Sequence, residues 1–425
     1  MKFIICVVVN CIQGRTIFKM EAGAGDSESA PAEPAENIYD SQDLWSDEDD
    51  ALLASSSDTQ ACEEILAKAS KAAEITEITK VPESEHDDPQ TSSRDSGCTV
   101  QVKRLPWAER NPLQKFRPGY LWVSDLTRQH WCEQLMLYTF TVPTIPVESP
   151  VMTAGSNLHL ARELAVHSVV QVKVTSNEDI WATKVINLFM TIQGFLNGIK
   201  VAREIPIFGA PFDKDVFIVG LIDELRFDPD SYTIDLLELK TRSVRSCPKI
   251  AQQNQNKLQV MLYKKLFDDL VKGRVSKETV AKHLRLDLEK PFGEDVMGHL
   301  DSKFFTAKNL NGLLDFVFIR IQSLTCISQL SIEYVLQDTN ESLSQNPVEY
   351  DDNELKATFE HFLKFWQGQR EVEGVEIEDS WKCQRCDFAD VCEWRERKAQ
   401  EHSHKNTAKA KLRKKMQVSV ENNHL

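Results

Sequence analysis

The chain has 425 residues, of which 41% are apolar, and it carries a formal net charge of −15 and ten cysteines. No apolar run reaches the roughly 18–20 residues needed to span a bilayer, and so low a cysteine density argues against a disulfide-stapled secreted domain. Residues 1–99 hold 21 acidic and 7 basic residues, whereas the remainder holds 44 acidic and 43 basic. The net charge therefore does not argue against nucleic-acid binding by residues 100–425.

Residues 1–99 are predicted to form a disordered acidic N-terminal region. Residues 20–99 contain few large apolar side chains, so they cannot bury enough surface to offset the entropy lost on ordering. Such a segment either recruits a partner or is a solvated tail. The apolar run from Phe3 to Val9 is short for a signal-peptide core and lacks a cleavage site. Residues 1–19 are therefore interpreted as an optional leader before a usual start at Met20.

Residues 100–396 are predicted to form an α/β domain with a mixed sheet flanked by helices. Ser124 and Asp125 indicate the N-terminal cap of a helix that would carry Cys132. Gly155 precedes a helical stretch with His159 in its first turns. The next predicted elements are a strand at 169–174, a helix at 179–196 closed by Gly198, and a strand at 201–208.

Residues 216–242 are predicted to form a two-stranded hairpin. The first strand is apolar almost throughout until Asp223, as in a strand buried on both faces. Residues 228–231, DPDS, supply the turn. On the return strand Glu238 and Lys240 share one face because strand side chains alternate. Two ionisable residues side by side in an apolar strand are unfavourable unless a metal or an ionic partner neutralises them.

Beyond the hairpin, helices are predicted on either side of residues 273–345, which are predicted to mix helices and strands. Residues 252–272 form an amphipathic helix on which Gln255, Gln259 and Tyr263 make one stripe at four-residue steps. Residues 273–345 are interpreted as an insert, in which 310–323 has core character, and a helix follows at 354–369. Residues 397–425 form a basic tail, for which a nuclear-import signal, a DNA-contacting extension and a solvated segment are open interpretations.

Asp223, Glu238 and Lys240 are the residue types that metal-dependent phosphodiester hydrolysis requires. Carboxylate-bound Mg²⁺ can compensate the charge of the transition state, and a nearby lysine can orient or activate the attacking water. The Glu-x-Lys pair is a weak sign of a nuclease by itself, because roughly two such pairs are expected by chance in a chain of this length. Its position in an apolar hairpin, one strand away from a buried aspartate, strengthens the prediction. A structural salt bridge at a strand edge is the competing interpretation.

Three further side chains gain a functional interpretation only from these neighbours. His159 could reach the same metal from its helix, although a lone histidine is more often a surface or satisfied core residue. Gln259 and Tyr263 could touch a phosphate or position Lys240, or they could belong to an ordinary half-buried helix face.

The spacing Cys383-x2-Cys386-x5-Cys392 is typical of a metal site in a reducing compartment. A fourth ligand is missing nearby. The candidates are Cys98, Cys132, Cys247 and Cys326 upstream and His402 and His404 downstream. Cys132 would tie the two ends of the domain together. Zinc and a 4Fe–4S cluster both accept four thiolates, and the spacing does not choose between them.

In chain order the candidate residues form the series Cys132, Gly155-x3-His159, Asp223, Glu238-x-Lys240, Gln259-x3-Tyr263, Cys383, Cys386 and Cys392. This series, over about residues 105–396, resembles the exonuclease V family, which are RecB-like PD-(D/E)xK nucleases with an iron–sulfur cluster. The resemblance implies a restriction-endonuclease-like core that the cluster clamps together.

The resemblance also implies a role for each residue. The Mg²⁺ ligands would be His159, Asp223, Glu238 and the backbone carbonyl of Leu239. Lys240 would be catalytic, and Gln259 and Tyr263 would border the active site. Cys132 and the three clustered cysteines would hold a 4Fe–4S cluster, which favours iron–sulfur over zinc.

The function that the resemblance implies is Mg²⁺-dependent exonuclease activity on single-stranded DNA in genome maintenance. A narrow channel would select single strands, with Arg162, Arg242, Arg245 and Lys249 near enough in sequence to contribute. The expected protein is a monomer without a membrane segment, with a single-strand DNA-binding protein as a further partner. Its expected location is the nucleus, with the mitochondrion or cytosol in addition.

Two other functions stay open at this point. One is a non-catalytic DNA-binding scaffold on a degenerate nuclease fold, although such proteins normally lose the lysine or a carboxylate and this chain retains both. The other is a zinc-binding protein unrelated to nucleases.

Overall fold

A computed structural model of the chain describes residues 2–8, 106–142, 150–164, 167–300 and 307–422. Its strands are β1 (Lys2–Val8), β2 (Tyr120–Trp122), β3 (His167–Lys173), β4 (Val201–Gly209), β5 (Phe217–Asp228), β6 (Thr233–Arg242), β7 (Ile327–Leu336) and β8 (Ser342–Val348). Its helices are α1 (Pro112–Phe116), α2 (Val123–Trp131), α3 (Glu133–Thr141), α4 (Pro150–Leu164), α5 (Asn177–Leu196), α6 (Ile250–Val271), α7 (Lys277–Leu284), α8 (Glu294–Leu300), α9 (Leu310–Ile321), α10 (Asp352–Trp366) and α11 (Glu393–Asn422). The longest 3₁₀ segment is Ile377–Arg385.

A mixed six-stranded sheet flanked by helices forms the core, as predicted. The strands follow the order β2-β5-β6-β7-β8, and β4 pairs with β5 as well. Strands β5 and β6 are antiparallel, whereas β6 and β7 are parallel. Helices α5, α6 and α9 bury apolar faces in one continuous hydrophobic core with the sheet.

Strand β5 changes partners along its length, and this change creates the opening for the site. Its first residues, Phe217 to Val219, pair in parallel with β2, and residues from Glu224 onward pair with β6. Strand β4 occupies the other edge of β5 throughout this region. Residues 220–223 therefore lie in a gap between the pairings with β2 and β6, and Asp223 is at the end of that gap.

The predicted hairpin is confirmed. The ladder between β5 and β6 runs from Glu224 opposite Leu237 to Asp228 opposite Thr233. The Asp228 carboxylate accepts hydrogen bonds from the Asp230 N–H at 3.0 Å and the Ser231 hydroxyl at 2.7 Å, which closes the turn. The turn fixes the register, and the register decides which side chains of β6 face the site.

Two predicted helix positions need correction. Cys132 is not inside a helix but has an extended backbone between α2 and α3, where its Sγ accepts a hydrogen bond from the Leu135 N–H. His159 lies in the third turn of α4, later than the first turns that were predicted, because α4 begins at Pro150, a residue suited to a first helical position.

The cap of α2 also lies two residues earlier than predicted, at Trp122. Asp125 still contributes, because its carboxylate accepts the Trp122 N–H at 3.0 Å. The same carboxylate pairs with Arg117 through bonds of 2.7 and 2.8 Å, so it ties the start of α2 to the end of α1.

Three predicted regions differ from the structure or fall outside it. Within the range 273–345 interpreted as an insert, β7 and the first residues of β8 complete the main sheet, so that part belongs to the core. Residues 2–8 form β1, which pairs antiparallel with β3, and the rest of the predicted acidic disordered region lies outside the described residues. The basic tail continues as α11 as far as Asn422.

Among the described residues, no helix combines the length and the apolar character that crossing a membrane requires.

Candidate active site

An open cleft of about 570 Å³ lies between α4, the strands β4 to β6 and α6. It brings together six of the residues singled out from the sequence, namely His159, Asp223, Glu238, Leu239, Lys240 and Gln259. Tyr263 lies behind Gln259 and bonds to it. The structure thus gathers residues from four elements that together span about a hundred residues of sequence.

Asp223 projects from the gap in the pairing of β5. One carboxylate oxygen, Oδ2, accepts a hydrogen bond of 2.9 Å from the Leu239 N–H on β6. The other oxygen, Oδ1, lies 3.9 Å from Nδ1 of His159. The carboxylate therefore joins the two strands where their ladder ends and presents its second oxygen to the cleft.

Glu238 is buried on β6, and only one of its two carboxylate oxygens has a hydrogen-bond partner among the described residues. Its Oε1 accepts a hydrogen bond of 2.7 Å from Gln259 and lies 3.2 Å from the Lys240 ammonium. Its Oε2 is buried and has no hydrogen-bond partner among the described residues. Burial and the nearby Asp223 charge raise the pKa of Glu238 well above its ordinary value, although Lys240 opposes the shift.

Tyr263 completes a short chain of bonds behind Glu238. Gln259 donates both to Glu238 and to the Tyr263 hydroxyl, the latter at 2.9 Å. Burial, followed by the charges of Glu238 and Asp223, raises the pKa of Tyr263 well above its ordinary value, so the hydroxyl keeps its proton. The Tyr263 ring fills the gap beside β5, where a Cβ on Gly220 would lie 2.8 Å from Cε1 of the ring.

Glu204 is a site residue that the sequence reasoning missed. It lies on β4 beside His159 and Asp223, and one ligand atom from each of these three residues lies within 4.8 Å of the other two. Its φ of +52° is unusual for a residue other than glycine. The available signal was an acidic residue inside the apolar strand VAREIPIFG, the same signal that identified Glu238.

The electrostatic surroundings of His159 follow from this arrangement. Burial lowers the pKa of His159, but the Glu204 and Asp223 carboxylates outweigh burial and raise it above its ordinary value. Nδ1 lies 3.9 Å from a carboxylate oxygen of each residue. A cluster of acids with one imidazole at its edge is suited to hold a divalent cation.

Gly155 explains how α4 comes close enough for His159 to reach the cleft. A Cβ at this position would lie 3.0 Å from Thr241 Oγ1 and 3.4 Å from Gln337 Nε2, so a glycine permits close approach to the end of β6. His159 is one turn further along α4. The spacing Gly-x3-His therefore has a packing reason within this fold.

The four predicted cluster cysteines also come together. Burial raises the pKa of the Cys132 thiol to about 11, and the proximity of Cys383, Cys386 and Cys392 contributes to this shift. Helix α3 is fixed to the same segment because the Tyr138 hydroxyl donates to the Val391 carbonyl at 3.3 Å.

The other candidates for the fourth ligand do not share this position. Cys247 is exposed and faces Ser344, while Cys326 has Asp268 and Lys272 near it. His402 and His404 lie along the exposed helix α11. Cys98 lies outside the described residues.

The four basic residues proposed for a DNA channel have different surroundings. Arg162 pairs with Glu333 at 3.3 Å, and Arg245 pairs with Glu341 on the surface. Arg242 is buried and donates to Ser246. Lys249 is exposed at the start of α6 and lies over the ring of Trp381.

Comparison with known proteins identifies one family. The sequence profile described as exonuclease V, a 5′ deoxyribonuclease, matches residues 111–233, 228–311 and 302–395. Exonuclease V of Danio rerio is 36% identical over 290 residues, which cover 67% of this chain and 73% of that relative.

Two shorter matches are to yeast proteins named as mitochondrial exonuclease V. The Candida dubliniensis protein is 42% identical over 62 residues, covering 15% of this chain and 10% of its own length. The Candida albicans (strain WO-1) protein is 36% identical over 83 residues, covering 20% of this chain and 13% of its own. The crystal structure of SSO0001 aligns with 65% of this chain and 86% of its own at 14% identity and a TM-score of 0.28, too weak a likeness for an argument.

Proposed function

Because this chain belongs to the exonuclease V family and is therefore a DNA exonuclease, we propose that it hydrolyses single-stranded DNA in a Mg²⁺-dependent reaction on a PD-(D/E)xK core. The observation that carries the proposal is the buried Glu238 carboxylate, whose Oε2 lacks a hydrogen-bond partner among the described residues. A buried carboxylate beside a second one is unfavourable without a positive charge, and Lys240 alone leaves an acidic excess.

The residues present fit a divalent cation. Oxygen donors would come from Asp223, Glu238 and the Leu239 carbonyl, and Glu204 would add a carboxylate that was not singled out from the sequence. His159 adds an imidazole nitrogen at the edge of the same group. When bound, Mg²⁺ would neutralise charge on the phosphate and lower the pKa of the attacking water.

The remaining side chains would orient the water and the Glu238 carboxylate. Lys240 Nζ is 3.2 Å from Glu238, so its ammonium lies at the cleft wall, where it would position the attacking water and stabilise developing negative charge. Gln259 fixes the rotamer of Glu238, and the Tyr263 hydroxyl fixes Gln259. The three side chains hold the carboxylate in place before substrate arrives.

We also propose that Cys132, Cys383, Cys386 and Cys392 hold a 4Fe–4S cluster with a structural role. The donor set supports this assignment, because burial raises the pKa of the Cys132, Cys383 and Cys386 thiols, so their thiolates are unfavourable unless a cationic metal compensates them. Cys132 and Cys383 are far apart in sequence, so the cluster would clamp the start of the domain to its end.

The cellular setting is proposed from the family alone. A single-strand-specific exonuclease fits a role in DNA repair, with a single-strand DNA-binding protein as a partner and a monomer as the working form. The nucleus is the proposed location, and the names of the yeast relatives support mitochondria as a second one. The family description supports attack from the 5′ side.

Purified Asp223→Ala and Lys240→Ala proteins test the proposal. Both should retain the fold but fail to degrade end-labelled single-stranded DNA with Mg²⁺, and blocking either terminus of the substrate reports the direction. Full activity in either variant refutes the assignment of the cleft. Undiminished hydrolysis in excess EDTA refutes the metal dependence.

A further inference from the structure

We propose that Trp381 and Lys249, with Trp131 at the edge, form a second contact site for the DNA strand, in which a nucleobase stacks on the Trp381 indole and Lys249 binds a phosphate. The site lies outside the cleft, beside residues 383–392, the cysteine segment that carries Cys383, Cys386 and Cys392. The inference deepens the proposed function, since it rests on single-stranded DNA being the substrate.

The two indoles form a small aromatic platform that a buried lysine holds in place. Trp131 and Trp381 meet edge to face, with ring centroids 5.8 Å apart and planes at 85°. Lys382 Nζ lies 4.7 Å from the centroid of the Trp131 ring and 5.9 Å from that of Trp381. Lys382 is buried, and its ammonium is fixed by Asp379 at 2.8 Å. This packing fixes the orientation of the half-buried Trp381 before DNA binds.

Lys249 contributes an exposed positive charge that forms no ion pair with a described residue. Its Nζ lies 5.5 Å from the centroid of the Trp381 ring, and the side chain is exposed. No carboxylate pairs with it among the residues that the structure describes. Lys249 is the N-cap residue of α6 but makes no side-chain cap. An exposed lysine over an aromatic ring can move aside to a phosphate while a base takes its place on the ring face.

Helix α6 connects the platform to the cleft. Helix α6 begins directly after Lys249 and carries Gln259, which bonds to Glu238 in the cleft. Ten residues of helix separate Lys249 from Gln259, a rise of about 15 Å. A bound strand that follows α6 would pass from the cleft to the platform within a few nucleotides. Between them, Gln255 joins α6 to α2 through a bond to the Thr127 carbonyl, so both supports of the platform are rigidly connected.

A purely structural role is the competing interpretation of the two tryptophans, because they also pack the cysteine segment against α2. That role predicts no dependence of DNA affinity on Lys249, whose exposed side chain contacts the Trp381 ring but makes no side-chain cap for α6. Lys249 therefore separates the two interpretations, and Trp381 alone does not.

The test is equilibrium binding of fluorescently labelled oligo-dT in EDTA, measured by anisotropy over a range of salt concentrations. Lys249→Ala should weaken binding and reduce the slope of log affinity against log salt by about 0.7, the value for one phosphate contact on a single strand. Trp381→Ala should weaken binding about tenfold with an unchanged slope, because stacking is not ionic. Trp381→Phe should restore part of that loss.

Lys257→Ala is the matched control, since Lys257 lies on the same helix but is paired with Glu354 at 2.8 Å. It should leave affinity and slope unchanged. If Lys249→Ala behaves like wild type, or if Lys257→Ala lowers affinity as much, the platform proposal is refuted. Iron content and circular dichroism check that Trp381→Ala is folded, and Lys249→Ala decides the question if it is not.

Because the binding assay in EDTA does not depend on hydrolysis, it tests the platform separately from the proposed nuclease function. Failure of wild-type protein to degrade DNA with Mg²⁺ would refute the proposed function whatever the binding data show. Wild-type hydrolysis together with unchanged binding by Lys249→Ala would refute the platform alone. An oligonucleotide too short to reach from the cleft to Trp381 should bind both variants as tightly as wild type, and a loss there would also contradict the platform.

Discussion

Glu204 on β4 and Asp223 on β5 lie at the same interruption of the ladder that joins these two strands. The flanking pairs, Arg203 with Glu224 and Ile205 with Ile222, keep the antiparallel register, but the left-handed φ of Glu204 interrupts the ladder between them. Strained backbone of this kind persists only where the surroundings enforce it, and it concentrates at functional sites. Here it turns an acidic side chain of the sheet toward the imidazole of His159.

We expect Glu204→Gln to weaken Mn²⁺ binding by about 10- to 100-fold without unfolding the protein, a loss typical of an altered metal site. The reason is that the carboxylate lies with His159 and Asp223 around one candidate cation position. Isothermal titration with Mn²⁺ measures the affinity. Glu163→Gln is the control, because Glu163 lines the same cleft outside that group. An equal loss in both variants would indicate a general charge effect and not ligation.

Gln259→Leu should reduce kcat by roughly 10- to 100-fold with a smaller change in KM, because Glu238 loses the donor that fixes it. Tyr263→Phe removes only the second bond of Gln259 and should have a milder effect. Steady-state hydrolysis of labelled single-stranded DNA gives both constants. A Tyr263→Phe variant that is less active than Gln259→Leu would contradict the proposal that Gln259 holds Glu238 directly and Tyr263 acts only through Gln259.

Gly155→Val should lower activity and destabilise the fold by about 1–3 kcal/mol, because the new side chain meets Thr241 and pushes α4 away from β6. His159 moves with the helix. Gly298→Val on α8 is the control, since a Cβ there has no neighbour within 4 Å. Thermal unfolding and hydrolysis assays should separate the two variants, and equal behaviour would show that the contact at Gly155 is not limiting.

Cys383→Ser should lose iron and labile sulfide and should lower both solubility and DNA affinity, if the cysteines hold a structural cluster. Cys247→Ser should behave as wild type, because the Cys247 thiol is exposed and contacts Ser344 and not the cysteine segment. Metal analysis of both proteins provides the measurement. Stoichiometric zinc without iron in the wild type would overturn the cluster assignment.

Asp179→Asn should destabilise the fold by about 2–4 kcal/mol at neutral pH, because the buried carboxylate accepts bonds from the Thr175 and Gly293 N–H groups at 2.9 Å. Burial alone would raise the pKa of Asp179, but these bonds outweigh it and the pKa is lowered. The stabilisation is therefore present above the ordinary aspartate pKa of about 4 and is lost as the pH falls through the lower folded pKa.

Urea unfolding of wild type and Asp179→Asn at several pH values measures this difference. The gap between their midpoints should be widest near neutral pH and should narrow in acid. Asp315→Asn is the control, because it removes only an exposed ion pair with Lys277 and should cost less than about 1 kcal/mol. A gap that stays constant to low pH would mean that the charge of Asp179 is not involved.

The sequence predicted the hairpin well because its signals are local. The alternation that places Glu238 and Lys240 together depends on strand geometry alone, and the Asp228 turn has its own side-chain bonds. The core helices α5 and α6 were likewise predicted from their apolar periodicity.

The sequence could not reveal features that depend on distant contacts. The sequence shows Glu204 only as an acidic residue inside an apolar strand, and its positive φ arises only when β4 meets β5. The extended backbone of Cys132 depends on the junction between two helices that an apolar pattern reads as one. Strand β7 was placed in an insert because its membership of the sheet depends on β6, far upstream.

The pairing of β6 with β7 has a consequence for synthesis of the chain. Glu238 lies opposite Ile332. The second edge of the strand that carries Glu238 and Lys240, both proposed to act in catalysis, is therefore covered only after a long further stretch of chain has been made. An uncovered apolar edge is a template for wrong pairing. Synthesis that terminates before Ile327 would therefore release an aggregation-prone chain that still contains every carboxylate proposed to bind the cation.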